Sequence, residues 1–452
     1  MSKPRRRSNF VTAVGLFMAA NILLSIFTPI NFNLYRFPYK GWAWWTFNDL
    51  RHHPETHNVA LLGSSLMVSA VAGADANYLN RPLDSTTHHN AEYFDHKLKQ
   101  KFGGEFHTFN LSAPGQMPSD AYLTLKAMLA TAHRPDTVIY GVAPRDFIDS
   151  SMTNPTDTEP FRFLTRLVST DECASGLFRD PLGRLEWFIN RNLYLAHHGL
   201  DIQMKVGDYQ KLLLDKIAYP PNGQVYDFWK RNAIIPSYKA GEFHPRSLMV
   251  LPMTAAQKSE QFRDNNAEYM ERYSRPDRHT YSTQFYFLRK LVNLCRKERI
   301  ELVLVNMPIT KQNIMVLKPQ LYIKFIGQLK QFAFDSQVSA FDLNDFCQYN
   351  YELTDYHDYV HLNAFGGFKF FDNLTEALAG NNRLASTMEI SGQKLSRDRV
   401  LVENRIDIRP DEINNVFGQE IRDGRIKLKP NIEKALDYEN SKRIGPKQQL
   451  SM

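Results

Sequence analysis

The sequence predicts an α/β protein built on one parallel sheet of five strands, with helices on both faces. Three observations predict it. Short strand-like segments recur five times, and those at 58–62, 137–142 and 300–305 are largely apolar runs, the pattern of strands buried on both sides. Segments with helical apolar spacing fall between those runs, as parallel crossovers require. The 452 residues also suffice for one large domain with an insertion, or for two ordinary domains.

The elements follow in order. Lys3, Arg5, Arg6 and Arg7 precede the run FVTAVGLFMAANILLSIFTPI, Phe10 to Ile30, which holds no charged residue. About 20 such residues at roughly 1.5 Å each span the roughly 30 Å of a bilayer's hydrocarbon core. The basic end should stay in the cytoplasm, so residues 1–32 read as a basic tip and transmembrane signal anchor. A cleavable signal peptide is the rival, but the run is long for one and ends in Phe27-Thr28-Pro29-Ile30, a poor cleavage site. Twin-arginine export fits less well, because Phe10 is badly spaced. Residues 33–57 read as a juxtamembrane linker. Its Trp42, Trp44 and Trp45 suit either the bilayer interface or packing beneath the domain.

Residues 58–62 are the first strand, ending at Gly63. A helix over 91–102 is closed by Gly103-Gly104, and 107–111 is the second strand. Pro118-Ser119-Asp120 signals a helix start, and 137–142 is the third strand. Residues 151–275, rich in Pro, Asp, Asn and aromatics, break the rhythm. They read as an insertion or cap, with a helical pattern near 205–217. The rhythm resumes with a helix over 281–298, a fourth strand at 300–305, a helix over 316–334, a fifth strand at 338–342 and a helix over 364–379. Residues 381–452 are a charged extension, with local structure expected over 399–440 and a disordered end.

Composition narrows the function. A net charge of +7 without a basic run interleaved with aromatics argues against a nucleic-acid partner. Cys173, Cys295 and Cys347 form no C-x-x-C pair, so no thiolate metal site is expected, and Cys295 reads as core. Histidines 52, 53, 57, 88, 89, 96 and 107 fit no ligand spacing and read as surface residues. Neither metal nor cofactor is expected.

Parallel sheets bind ligands beyond their C-terminal strand ends. There the first strand gives Gly63-Ser64-Ser65-Leu66 and the second gives Asn110-Leu111-Ser112-Ala113-Pro114-Gly115. The fourth gives Asn306-Met307-Pro308, and after the fifth stands Asp355-Tyr356-His357-Asp358-Tyr359-Val360-His361-Leu362-Asn363. Each motif alone is common. Asp358 could fix the tautomer of His361 while its other nitrogen deprotonates a serine.

In this order the motifs resemble those of the SGNH/GDSL hydrolase superfamily. The resemblance spans residues 58–150 and 280–380 and implies a flavodoxin-like three-layer α/β/α domain, divided as 58–150 and 276–380. It puts Ser65 at the nucleophile, Ser64 at the usual aspartate, Asp358 and His361 as acid-base partners, and Ser112 where a glycine is common. The third block departs: Ala143-Pro144-Arg145-Asp146 lacks the family's asparagine. The implied oxyanion hole is Ser65, Ser112 and Arg145, with Ser64, Asn110, Gly115 and Asn306 as substrate-binding residues. With a membrane anchor, the chain looks like exported envelope proteins of alginate or peptidoglycan O-acetylation and of teichoic-acid D-alanylation. The expected function is a serine acyltransferase or esterase on a cell-envelope polysaccharide, facing the periplasm from the inner membrane. Its expected partners are an envelope glycan or acyl donor and a multi-span membrane acyltransferase. The alternative is an inactive fold kept as a glycan-binding or scaffold component of such a complex.

Overall fold

The five expected strands form a single parallel sheet. In the computed structural model, which describes residues 9–27, 41–52, 56–152, 154–178, 180–199, 249–258 and 262–406, the strands are β1 (Val59–Gly63), β2 (Leu83–Asp84), β3 (Thr108–Asn110), β4 (Thr137–Val142), β5 (Met249–Val250), β6 (Glu301–Asn306) and β7 (Ser339–Asp342). The sheet order is β3-β1-β4-β6-β7. Val59 pairs with both Thr108 and Thr137, Val142 with Asn306, and Asn306 with Asp342. The chain winds outward in both directions from β1 and β4. The crevice at their C-terminal ends is therefore where such a sheet opens to a ligand.

Alternate strand residues enter different cores. Ala60, Leu62, Val138, Tyr140, Leu302 and Leu304 join one apolar cluster. Val59, Leu61, Ile139, Val303 and Val305 join another. The first cluster takes in Leu125 of α5 (Pro118–Leu129), Leu291 of α11 (Arg278–Glu298) and Leu329 of α13 (Pro319–Asp335). The second takes in Met67 of α3 (Ser65–Tyr78), Phe94 of α4 (Glu92–Phe102) and Phe370 of α14 (Ala364–Ala379). Each fully buried Leu or Phe contributes about 1.5–3 kcal/mol, so the two-sided burial accounts for the continuous apolar runs.

Several elements differ from expectation. The helix predicted over 316–334 is two helices, α12 (Lys311–Leu317) and α13. Lys318 between them has φ +81, and Pro319 opens α13. Proline suits a first helical position but drives its predecessor out of the helical region. The linker contains helix α2 (Trp42–His52), whose Trp42 and Trp44 are buried. These tryptophans pack beneath the domain. Cys295 is buried in α11, as its apolar neighbours predicted.

At the N-terminus, α1 (Asn9–Phe27), with a mean hydropathy of 2.2 over 18 of its residues, is long and apolar enough to cross a membrane. The insertion contributes no described residue to the five-stranded sheet. Its α7 (Glu159–Leu164) buries Phe161 and Leu164 in the first core beside Phe47 of α2. Farther on come α8 (Pro181–Asn192), α9 (Tyr194–His197) and α10 (Asn266–Arg272), while β5 pairs antiparallel with β2. The helical pattern near 205–217 lies outside the described residues. The charged extension begins as helix α15 (Asn382–Ile406), with Leu384 and Met388 buried. Of the expected 399–440 structure, only the part to Ile406 is within the described residues.

Candidate active site

Strand β1 delivers Ser65 directly. Ser64 is the N-cap of α3 and Ser65 its first residue. Ser64 does not cap with its side chain. Its hydroxyl is buried beside the Asp146 carboxylate without a well-formed hydrogen bond. The Ser65 N–H, at the positive end of α3, has no hydrogen-bond partner among the described residues.

His361 reaches Ser65 from the other end of the chain. Its Nε2 lies 2.8 Å from Ser65 Oγ, and its Nδ1 lies 2.7 Å from Asp358 Oδ2. The other oxygen of Asp358 accepts from the Val360 and His361 N–H groups, both at 2.8 Å. This turn holds the carboxylate against the ring. Burial alone would raise the Asp358 pKa; the hydrogen bond and charge of His361, with His357 and the Val360 N–H, bring it down to about 2. Asn363 then caps α14 through the Phe365 and Gly366 N–H groups. The three predicted triad residues are therefore together in sequence-independent space.

The loop is also clamped from outside. Arg263 N–H donates to the His357 carbonyl at 2.7 Å, and Tyr359 N–H donates to Asn265 Oδ1 at 3.2 Å. The His357 ring stacks on His361, with centroids 5.4 Å apart and planes 8° from parallel. Burial, opposed by Asp358 and reinforced by His361, lowers the His357 pKa.

The predicted oxyanion group is less uniform. The loop after β3 hangs on the end of β1: Ala113 N–H donates to the Gly63 carbonyl at 3.0 Å, and Gly63 N–H donates to Gln116 Oε1 at 2.8 Å. The Ser112 N–H donates to Asn110 Oδ1 at 3.1 Å, so an oxyanion would have to share that donor. The Ser112 carbonyl accepts from Trp42 Nε1 at 2.9 Å. Gly115 has φ +78, open to glycine at little cost. A Cβ there would lie 3.4 Å from Arg145 Nη2.

Arg145 opens α6 (Arg145–Ile148) and is buried among acids. Its Nε donates to Asp149 Oδ2 at 3.0 Å and its Nη1 to Asp146 Oδ1 at 3.2 Å. Arg272 grips the same Asp149 oxygen at 2.5 Å. Burial would lower the Arg145 pKa, but Asp146 and Asp149 raise it instead, so the guanidinium is a fixed charge. Among the described residues it makes no hydrogen bond to a triad member. Its Nη2 faces the Gly115 loop.

Asn306 is the predicted residue that the structure commits elsewhere. Its amide donates to Tyr322 Oη at 3.0 Å and to Asp342 Oδ1 at 2.8 Å, which ties β6 to β7. Three residues were missed by sequence reasoning. Gln116 joins the first two loops, Asp146 backs Ser64, and the buried Tyr269 hydroxyl feels the charge of both Arg145 and Asp358. Burial raises the pKa of Tyr269; Arg145 opposes and Asp358 adds to the shift. No short motif surrounds Tyr269, so it carried no sequence signal.

The expected surface histidines need correction. His57 and His89 are buried: their rings pack on Phe109, and His89 also meets Asp49 at 2.9 Å. His88 meets Asp75 at 2.7 Å, and His53 lies outside the described residues. Among the described residues, His357, Asp358 and His361 bring three potential ligand atoms within 4.8 Å. Two ligands on a tetrahedral zinc, each at about 2.0–2.2 Å, would stand roughly 3.4 Å apart. At 2.7 Å, His361 and Asp358 are arranged as a hydrogen bond. No family model and no curated protein matches this chain.

Proposed function

We propose that the chain is a membrane-anchored serine acyltransferase or esterase of the SGNH/GDSL type, acting on a cell-envelope polysaccharide. One observation carries the reading: the Asp358–His361–Ser65 relay, with hydrogen bonds of 2.7 and 2.8 Å. His361 Nε2 takes the Ser65 proton as Oγ attacks an acyl carbonyl, and Asp358 balances the imidazolium that forms. His361 then returns the proton to the leaving alcohol, leaving an acyl-enzyme on Ser65. An acceptor hydroxyl, activated by the same imidazole, releases the acyl group. Water gives an esterase and a sugar hydroxyl gives a transferase. The Ser65 N–H supports the oxyanion, with Arg145 as a fixed cation beside the Gly115 loop.

The flavodoxin-like three-layer reading is supported by the strand order, which becomes 2-1-3-4-5 when only the five sheet strands are counted. The anchor reading is supported by α1 and by the basic residues before it, which favour a domain on the extracytoplasmic side of the inner membrane. A multi-span acyltransferase that brings the acyl group across the bilayer completes the scheme.

A second reading, an inactive glycan-binding scaffold, draws on the Ser112 N–H already donated to Asn110. One experiment separates the two. A fluorophosphonate probe should label the wild-type chain and not Ser65→Ala; an unlabelled wild type would sink the enzyme reading.

A further inference from the structure

The insertion presents an apolar face that nothing among the described residues covers. On α8, Leu182, Leu185, Phe188 and Ile189 are 73, 53, 57 and 36 % exposed. At 3.6 residues per turn they share about 120° of the helix circumference. The helix is nevertheless fixed to the body. Trp187 meets Phe178 edge-on at 5.6 Å, Arg191 lies over the Trp187 ring at 5.3 Å, and Arg191 pairs with Asp171. The bare stripe is thus held in place.

What lies beside it identifies the occupant. Asn21 is the one buried residue of α1, and its Oδ1 accepts the Leu195 N–H of α9 at 2.8 Å. Its amide donates to the Phe17 carbonyl at 2.8 Å. An asparagine in an otherwise apolar span requires such partners. Asn21 stands six residues before the end of α1 at Phe27, about 9 Å along the helix axis. With the bilayer boundary between Phe27 and Ile30, a segment bonded there would lie within the leaflet, at or somewhat below the roughly 5–10 Å depth typical of interfacial helices.

We propose that α8–α9 is an interfacial element whose apolar stripe is buried in the leaflet at the C-terminal end of α1, its occupant being lipid acyl chains. The inference rests on the anchor reading of α1. It makes the insertion a second membrane contact, which holds the domain at the bilayer surface instead of on a free tether. A site held there is placed to take an acyl group presented at the membrane.

The test uses the full-length chain in bilayers containing chain-brominated phospholipid. Cys347 is exposed while Cys173 and Cys295 are buried, so a Cys347→Ser background accepts single labelled cysteines. Leu185→Cys should lose fluorescence as strongly as Ile22→Cys on α1, while Met315→Cys, at an exposed position of α12, should lose none. Full fluorescence at position 185 with quenching at 22 overturns the proposal and leaves the anchor standing. Full fluorescence at both positions overturns the anchor reading itself. Protection of position 185 from lipid by crosslinking to another polypeptide also overturns it, in favour of a protein partner.

Discussion

His361 Nε2 stands 2.8 Å from Ser65 Oγ, and each residue sits at the mouth of a helix: Ser65 opens α3, and Ala364, three residues after His361, opens α14. On the proposed acyl-transfer reading, the pair acts as a unit. Ser65→Ala and His361→Ala should each lower turnover by about 10⁴-fold or more, and the double variant should be no worse than either. Additive losses, measured on any acyl ester the wild type turns over, would contradict the shared proton transfer.

Asp358→Asn should cost about 10⁴-fold in turnover, because an amide no longer selects the His361 tautomer. The turn itself should persist, since an asparagine oxygen can still accept the Val360 and His361 N–H groups, but the stabilisation tied to the charge is lost. The pH sign follows from a carboxylate held at about 2. Its stabilisation is present above the ordinary aspartate value and is lost as pH falls through about 2. Unfolding midpoints of wild type and Asp358→Asn should therefore converge only below about pH 4; convergence near pH 6 would refute the assignment.

Much of this was legible in the sequence, for a physical reason. Strands buried on both faces must be apolar throughout, so Val59–Gly63 and Thr137–Val142 stood out as runs. Asp358 and His361 were legible because a three-residue spacing lets one turn hold both. Arg145 was placed after its strand, but its grip by Asp149 and Arg272 joins residues far apart in the chain, and no local pattern encodes that. Helix α2 was hidden because a tryptophan cluster suits a membrane interface and a core equally well. Helix α15 was hidden because its few buried residues, Leu384 and Met388 among them, are diluted by charge.

Arg145→Ala should destabilise the chain by about 3–5 kcal/mol, since it leaves Asp146 buried without its cation and Asp149 with Arg272 alone. Arg145→Lys keeps a charge but not the planar fork, and should retain the fold with a smaller loss in denaturant midpoint. If Arg145 supplies the third oxyanion donor, that folded lysine variant should lose roughly 10²-fold or more in kcat with little change in KM. Wild-type kcat in Arg145→Lys would end the oxyanion role and leave only the structural one.

Buried acids around Arg145 give stability a pH slope of opposite sign to that of Asp358. Burial, opposed by hydrogen bonds from Thr158 and the Met117 N–H, pushes Asp120 up to about 7. Burial, opposed chiefly by Arg145, pushes Asp146 up to about 6. The folded chain holds these protons where the unfolded chain releases them, so stability falls as pH rises from about 4 towards 7. Each group contributes at most roughly 1.4 kcal/mol per pH unit. Asp120→Asn cannot titrate and should flatten the slope between pH 5 and 7, whatever its baseline. An unchanged slope in urea unfolding would show that Asp120 is ionised throughout.

The distance between Ser65 and His361 is finally set by how closely their helices approach. A Cβ at Gly367 of α14 would meet the Ala70 carbonyl oxygen of α3 at 2.5 Å. A Cβ at Gly73 of α3 would meet Ala364 Cα and N at 3.1 Å. Small residues at both places let the backbones touch, and packed interiors absorb an extra methyl only by shifting. In Gly367→Ala the α14 backbone must move outward, and the loop carrying His361 is continuous with it. The 2.8 Å hydrogen bond should lengthen, and a misplacement of about 1 Å at a reacting centre can cost roughly 10²-fold. Overpacking itself should cost about 1–3 kcal/mol, so a folded chain is expected, with fluorophosphonate labelling slowed in proportion to the lengthened hydrogen bond. Labelling at the wild-type rate in a destabilised Gly367→Ala would mean that the loop, clamped by Arg263 and Asn265, sets the His361 position independently of the helix.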